Sequence, residues 1–178
     1  MLNTCNRFIA GTVTGLISGF ISGLGQYFLP ENQIIVQTYP AIILGIFLFL
    51  YGYYVLRISI TNSLLSCINL VFFCIIGWRA SVDIGYELGG PVPFLTAGLI
   101  GAFFVAAGWL LSWNIRSAIL KFILVVTAFG AIGGLVFQII DYFIKLNDEL
   151  WAFTLFIEWQ IILMAGIEFA YLKLKISL

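Results

Sequence analysis

The chain has 178 residues, 62% hydrophobic and only 9% charged, with a mean hydropathy of +1.12. A soluble domain carries about half apolar and about a quarter charged residues, so the composition excludes a water-soluble globule and makes a lipid bilayer the expected solvent. Eight basic and eight acidic residues give no net charge and there is no histidine, which removes a basic surface for nucleic acid, the commonest haem and zinc ligand and the usual general base; no cofactor or metal is expected.

A membrane-spanning helix needs about 20 mainly apolar residues. Six segments qualify, at 8–28, 41–56, 63–78, 93–113, 119–143 and 150–172, the second and third being short. No polar linker or low-complexity stretch divides them, so residues 1–178 read as one domain. The start, MLNTCNRFIAGTV, has one basic residue and then a long apolar run without a small-residue cleavage site, which fits a retained first span rather than a signal peptide. Gly11, Gly15, Gly19 and Gly23 recur at every fourth position of that span, with Thr12, Ser18, Ser22 and Gln26 on the same side. Such a stripe lets another helix backbone come close, which is how membrane helices gain packing contacts.

The third segment holds Cys67 and Cys74, seven apart on one helix face, and with Cys5 they form no CxxC pair. A straight helix keeps the two about 10 Å apart, so they are expected to be small packing residues. Asn62, Ser66 and Asn69 form a polar edge suited to interhelical hydrogen bonds. The stretch GWRASVDIGYELGGPVP (77–93) follows. It reads as an outer loop with a short interfacial helix that puts Arg79, Asp83 and Glu87 on one face beside Tyr86, ended by Gly89, Gly90 and Pro91. Two readings stand: a mouth over a pocket between helices, or a solvated loop with one weak ion pair.

In the fourth segment Gly98, Ala102 and Ala106 share four-residue spacing beside Ala97, Gly101 and Gly108. In the fifth, with Gly130 as origin and about 100° per residue, Thr127, Gly134, Gln138, Asp141 and Lys145 all fall within a sector of about 80°. That stripe should face protein or a wet cavity, because charge toward hydrocarbon is expensive; Asp141 and Lys145 are also spaced to pair along the helix. Residues 12–28 and 127–143 align at Thr12/Thr127, Gly15/Gly130, Ile17/Ile132, Gly19/Gly134, Tyr27/Tyr142 and Phe28/Phe143. An internal duplication and convergence on one packing solution both account for this. Three small-residue seams favour a tight bundle and also self-association.

The sixth segment carries Glu158 about eight residues from its start, about 10 Å inside the hydrocarbon. An ionised carboxylate there costs about 3 kcal/mol, so it should be protonated, paired or hydrated. It reads either as an ion, proton or substrate site or as a hydrogen-bonded contact between helices; Arg79 and Lys145 are the nearest expected cations. Glu168, near the other end, is expected to reach the interface near Arg116 or Lys121. With the N-terminus inside, Arg7, Arg57, Arg116, Lys121, Lys173 and Lys175 lie on the inner side and Arg79 and Lys145 on the outer; that bias predicts N-in and C-in. Tyr27, Phe28, Trp78, Tyr142 and Phe143 then fall near the outer interface, and Tyr53, Tyr54, Trp109 and Trp113 near the inner one.

No phosphate-binding loop, zinc-protease helix or nucleophile elbow is present, so no catalytic constellation is expected and the chain does not read as an enzyme. The expectation is an all-α polytopic protein of a bacterial inner membrane, a compact six-helix bundle with the bilayer, other membrane subunits or its own copies as partners. In size and helix count it is similar to the substrate-binding membrane components of vitamin uptake systems, which also carry a small-residue motif on the first helix; the likeness is architectural. The expected function is a transport or channel-like component that binds a small solute or ion, with Glu158, Asp141, Gln138, Arg79, Asp83, Glu87 and Tyr86 as candidate site residues and Gly11, Gly15, Gly19, Gly23, Gly98, Gly101, Gly130 and Gly134 as packing residues. The alternative is a non-catalytic subunit (an assembly factor, anchor or sensor) of a larger or homo-oligomeric membrane complex.

Overall fold

The computed structural model describes residues 4–28, 33–58, 63–88, 90 and 92–174. The described residues are helical almost throughout, and six helices are long and apolar enough to cross a membrane, with spans of 18 to 26 residues. They are α1 (Thr4–Phe28), α2 (Gln33–Leu50), α3 (Ser63–Ala80), α4 (Pro93–Ser112), α5 (Ile119–Ile144) and α6 (Asp148–Leu174). Two of them run on through a wider turn. A π-helical turn, Tyr51–Val55, extends α2; another, Ser81–Gly85, extends α3 and leads into a last turn, Tyr86–Leu88. The outer loop expected from residue 77 is therefore helical as far as Leu88, and Gly90, with φ +53, turns the chain back toward α4. Gly89, Pro91 and Asn62 lie outside the described residues.

Each helix packs beside its neighbours in the chain, and α6 closes back onto α1, which makes a ring of six. Short connections force neighbours to run antiparallel. Gly11 lies beside Glu168 and Gly23 beside Phe153, so the closing pair is antiparallel as well. This seam depends on glycine. A Cβ on Gly19 would stand 2.6 Å from the Ile157 Cα, and one on Gly15 2.8 Å from the Ile161 Cα, so any side chain would push the two backbones apart. Gly98, Gly130 and Gly134 form the equivalent seam between α4 and α5, and Gly101 faces Ser81 and Trp159. All the expected seams are thus used inside one ring, and none is left over as an argument for self-association.

The two halves of the ring differ. The half that holds the start of α1 and the end of α6 is solid, with Leu48, Leu70, Trp109, Phe122, Leu163, Met164 and Ile167 buried there. Trp109 and Trp113 belong to this core rather than to an interfacial belt, whereas Tyr53, Tyr54, Tyr142 and Phe143 are exposed. The outside of the ring is a continuous apolar surface that includes Phe20, Leu64, Phe72, Phe103, Leu124 and Ile132. An exposed apolar face of this extent suits hydrocarbon and not water.

Candidate functional site

Two polar constructions interrupt this apolar ring. The first closes the solid half. Glu168 has no solvent exposure. Tyr51, brought in by the π-helical turn, donates a hydrogen bond from its hydroxyl to Glu168 Oε1 at 2.6 Å. The Arg7 Nη2 lies 3.2 Å from Oε2, an ion-pair distance without hydrogen-bond geometry, and donates a longer bond of 3.4 Å to Oε1. The Arg7 guanidinium also lies 5.7 Å from the centre of the Tyr171 ring, a cation–π distance. Tyr171 accepts a hydrogen bond from Trp109 Nε1 at 2.9 Å. One network thereby ties together α1, α2, α4 and α6. This corrects the expectation that Glu168 reaches the interface near Arg116 or Lys121: its partner is Arg7, and Arg116 instead bonds Asn114. Helix depth gives how far down a residue sits but not which neighbour it faces. The absence of a side chain on Gly11 leaves room for the Glu168 stem, whose Cγ would lie 3.2 Å from an added Cβ.

The second construction is a cavity of about 420 Å³ in the opposite half, with wall residues from all six helices. Aromatic rings form much of the wall. Trp78 packs on Phe156 with ring centres 5.2 Å apart, and Phe94 on Trp151 at 5.8 Å. Trp159 completes this set, held by a hydrogen bond from its Nε1 to the Gly130 carbonyl at 3.2 Å. Pro40 lies inside α2 at the wall, where it supplies no N–H to the helix. Gln160, 1% exposed, is a buried polar member of the wall, as is Ser81, whose hydroxyl donates to the Gly77 carbonyl at 2.7 Å. The Gln160 Oε1 accepts from the Ser18 hydroxyl at 2.5 Å and its Nε2 donates to Ser22 Oγ at 3.3 Å. The polar side of the α1 stripe therefore faces Gln160 at the cavity wall.

Of the residues proposed from sequence, Arg79 lines this cavity. Its Nη2 is tied to Asp83 at 3.0 and 3.1 Å, and both side chains are partly open to solvent, so the pair marks a rim. Glu87 is exposed on the following turn, and the Tyr86 side chain lies outside the described residues. Gln138 and Asp141 are half-buried on α5 and do not line the cavity. Asp141 and Lys145 form no ion pair among the described residues. Instead the Lys145 backbone N–H caps the helix by bonding the Asp141 carbonyl at 2.9 Å, with Lys145 in the left-handed conformation.

Glu158 also lies outside the wall. Ile157 meets α1 at Gly19 and Trp159 meets α5 at Gly133, and two residues of helix set Glu158 about 160° around α6 from Gln160. Its carboxyl oxygens are shielded and find no hydrogen-bond partner. The structure thus brings Arg79 and Asp83 together at the cavity and leaves Glu158 and Asp141 elsewhere. The sequence reading missed Gln160, Trp151 and Trp159. A signal for Gln160 was present, since a glutamine in mid-span opposite a serine stripe needs partners as much as a glutamate does. Comparison with protein-family models, with characterised proteins and with solved structures finds no match.

Proposed function

We propose that the chain is a membrane transport component that holds a small solute in the cavity between its six spans, with both termini in the cytoplasm and the cavity toward the outer side of a bacterial inner membrane. The observation that carries this reading is the cavity itself. At about 420 Å³ it is in the range of small-molecule sites, which are mostly apolar with a few placed polar groups. The Arg7–Glu168–Tyr51 network and the core beneath it favour access from one side at a time, the arrangement that a carrier needs. The six-to-two distribution of basic residues supports the orientation.

The test is a thermal-stability screen of the purified protein in detergent against a collection of small solutes. A ligand that binds only the folded state at 100 times its Kd adds about 2.7 kcal/mol and raises the unfolding temperature. The shift should disappear in Ala152→Trp, which fills the wall. No shift from any solute class, or a shift that survives the filling, contradicts the proposal.

One observation favours the second reading, a non-catalytic subunit. The Glu158 carboxyl, on the flank of α6 away from the cavity, is shielded and finds no hydrogen-bond partner among the described residues, a need that a donor on a neighbouring protein would meet once the side chain turned outward. Under that reading Glu158→Leu leaves the isolated chain folded and removes it from a native complex on blue-native gels, whereas under the transport reading its migration does not change.

A further inference from the structure

We infer that the cavity takes an uncharged, flat molecule of two to three fused or linked rings with one hydrogen-bonding group, and neither an inorganic ion nor a charged metabolite. The inference rests on the reading of the cavity as a binding site and narrows it to one chemical class.

Charge argues first. Among the described residues Arg79 is the one charged member of the wall, and its guanidinium is bonded to Asp83 at the rim. No carboxylate among the described residues lines the interior. A cation that entered would lose its hydration with no counter-charge on the described wall and with a guanidinium nearby, a cost that attraction to ring faces offsets only in part. An anion would find the Arg79 charge already offset by Asp83 and placed at the rim, with no second cation on the described wall. Burying an ion without compensation is far more costly than burying a neutral polar group.

Shape argues second. Trp78, Trp151, Trp159, Phe94 and Phe156 line the space, and Trp78–Phe156 and Phe94–Trp151 pack ring on ring. Rings pack on rings with an energy beyond the area they bury, through offset and edge-to-face contacts. Size sets the ring count. An apolar cavity of about 150 Å³ holds one benzene, so about 420 Å³ holds two to three such units.

The polar requirement comes from Gln160. A primary amide offers two N–H donors and two acceptor sites. Ser18 uses one acceptor site and Ser22 one donor. The amide reaches the cavity only as a narrow edge, the side chain being 1% exposed, and Ser81 and Gln26 add polar groups to the same wall. A hydroxyl, carbonyl or ring nitrogen on the ligand would satisfy that edge, and a pure hydrocarbon would not.

The experiment uses the full chain in detergent micelles and four probes of similar bulk: 2-naphthol, 2-naphthoate, trimethyl-2-naphthylammonium and decan-1-ol. The three naphthalenes are titrated while quenching of tryptophan fluorescence is followed, decan-1-ol is titrated as a competitor of bound 2-naphthol, and empty micelles give the partition background. The expected result is saturable binding of 2-naphthol with a Kd at least tenfold below those of the other three. Gln160→Leu should weaken 2-naphthol by about tenfold, and Ala152→Trp or Leu44→Trp should abolish its saturable phase, with circular dichroism to verify folding. If either charged naphthalene binds as well as 2-naphthol, the class is wrong while the cavity reading stands. If decan-1-ol binds as well, the requirement for rings is wrong. If no probe saturates on the wild type, the inference fails, and the solute screen decides the binding reading beneath it. The comparison of the four probes on the wild type decides the class even where a variant does not fold.

Discussion

Replacing Arg7 with methionine leaves the Glu168 carboxylate fully buried with its nearest cation gone. Removal of one partner from a buried ion pair costs about 3–5 kcal/mol, because the remaining charge keeps its desolvation penalty. The Arg7 side chain is 21% exposed, so water already screens part of the pair and the lower bound applies, about 3 kcal/mol. An ordinary interhelical hydrogen bond in a membrane protein contributes about 0.6 kcal/mol, so the two cases are well separated. Glu168→Gln removes the charge but keeps an acceptor for the Tyr51 hydroxyl, and should cost only about 1 kcal/mol. The double variant should then be more stable than Arg7→Met alone, with a coupling of about 2 kcal/mol in the cycle. Reversible unfolding in mixed micelles of increasing dodecyl sulfate fraction, followed by circular dichroism, measures all three. An Arg7→Met loss no larger than about 0.6 kcal/mol, or an additive double variant, would refute the reasoning that this network holds the solid half closed.

Gly19→Ala should destabilise by about 1–3 kcal/mol in the same assay, since its Cβ would meet the Ile157 backbone at 2.6 Å, while Ala128→Leu on the exposed side of α5 should stay within about 0.5 kcal/mol of wild type. Ala118 begins α5 in the left-handed conformation with φ 53, so Ala118→Gly should stabilise by up to about 1 kcal/mol. Glu158→Leu should leave the stability of the isolated chain equal or raised by about 1 kcal/mol, because it removes a carboxyl that has no partner; a loss above about 2 kcal/mol in the unfolding assay would reveal an interaction within the chain.

The six spans were legible because length and hydropathy alone define them, and the glycine stripes because four-residue spacing gives a helix one close-contact face. The structure adds which face meets which helix. The stripe of α1 turns to α6 and that of α5 turns to α4, so each meets the member that precedes it around the ring. The ends of the second and third spans were less legible. Their π-helical extensions depend on tertiary contacts such as that of Tyr51 with Glu168, which no local pattern announces. Glu168 itself was visible as a charge but was assigned by depth rather than by direction around the helix. The cavity was illegible for a related reason. Its wall draws Gln26, Trp78 and Gln160 from distant parts of the chain, and a tryptophan that lines a space has the same sequence signature as one that fills a core. Attention to formal charge favoured Glu158, whereas its near neighbour Gln160 is the one of the two that lines the wall.

The most direct test of a six-helix ring embedded in lipid is an accessibility scan by electron paramagnetic resonance, with single spin labels along α5 in bilayers. Labels at Leu120, Leu124, Ile132 and Ile139, which face outward, should collide readily with oxygen and little with a water-soluble nickel chelate. Labels at Phe122, Val126 and Phe137, buried in the ring, should be shielded from both. Nickel contact along the outward positions, or the absence of any helical period between the two sets, would contradict the account.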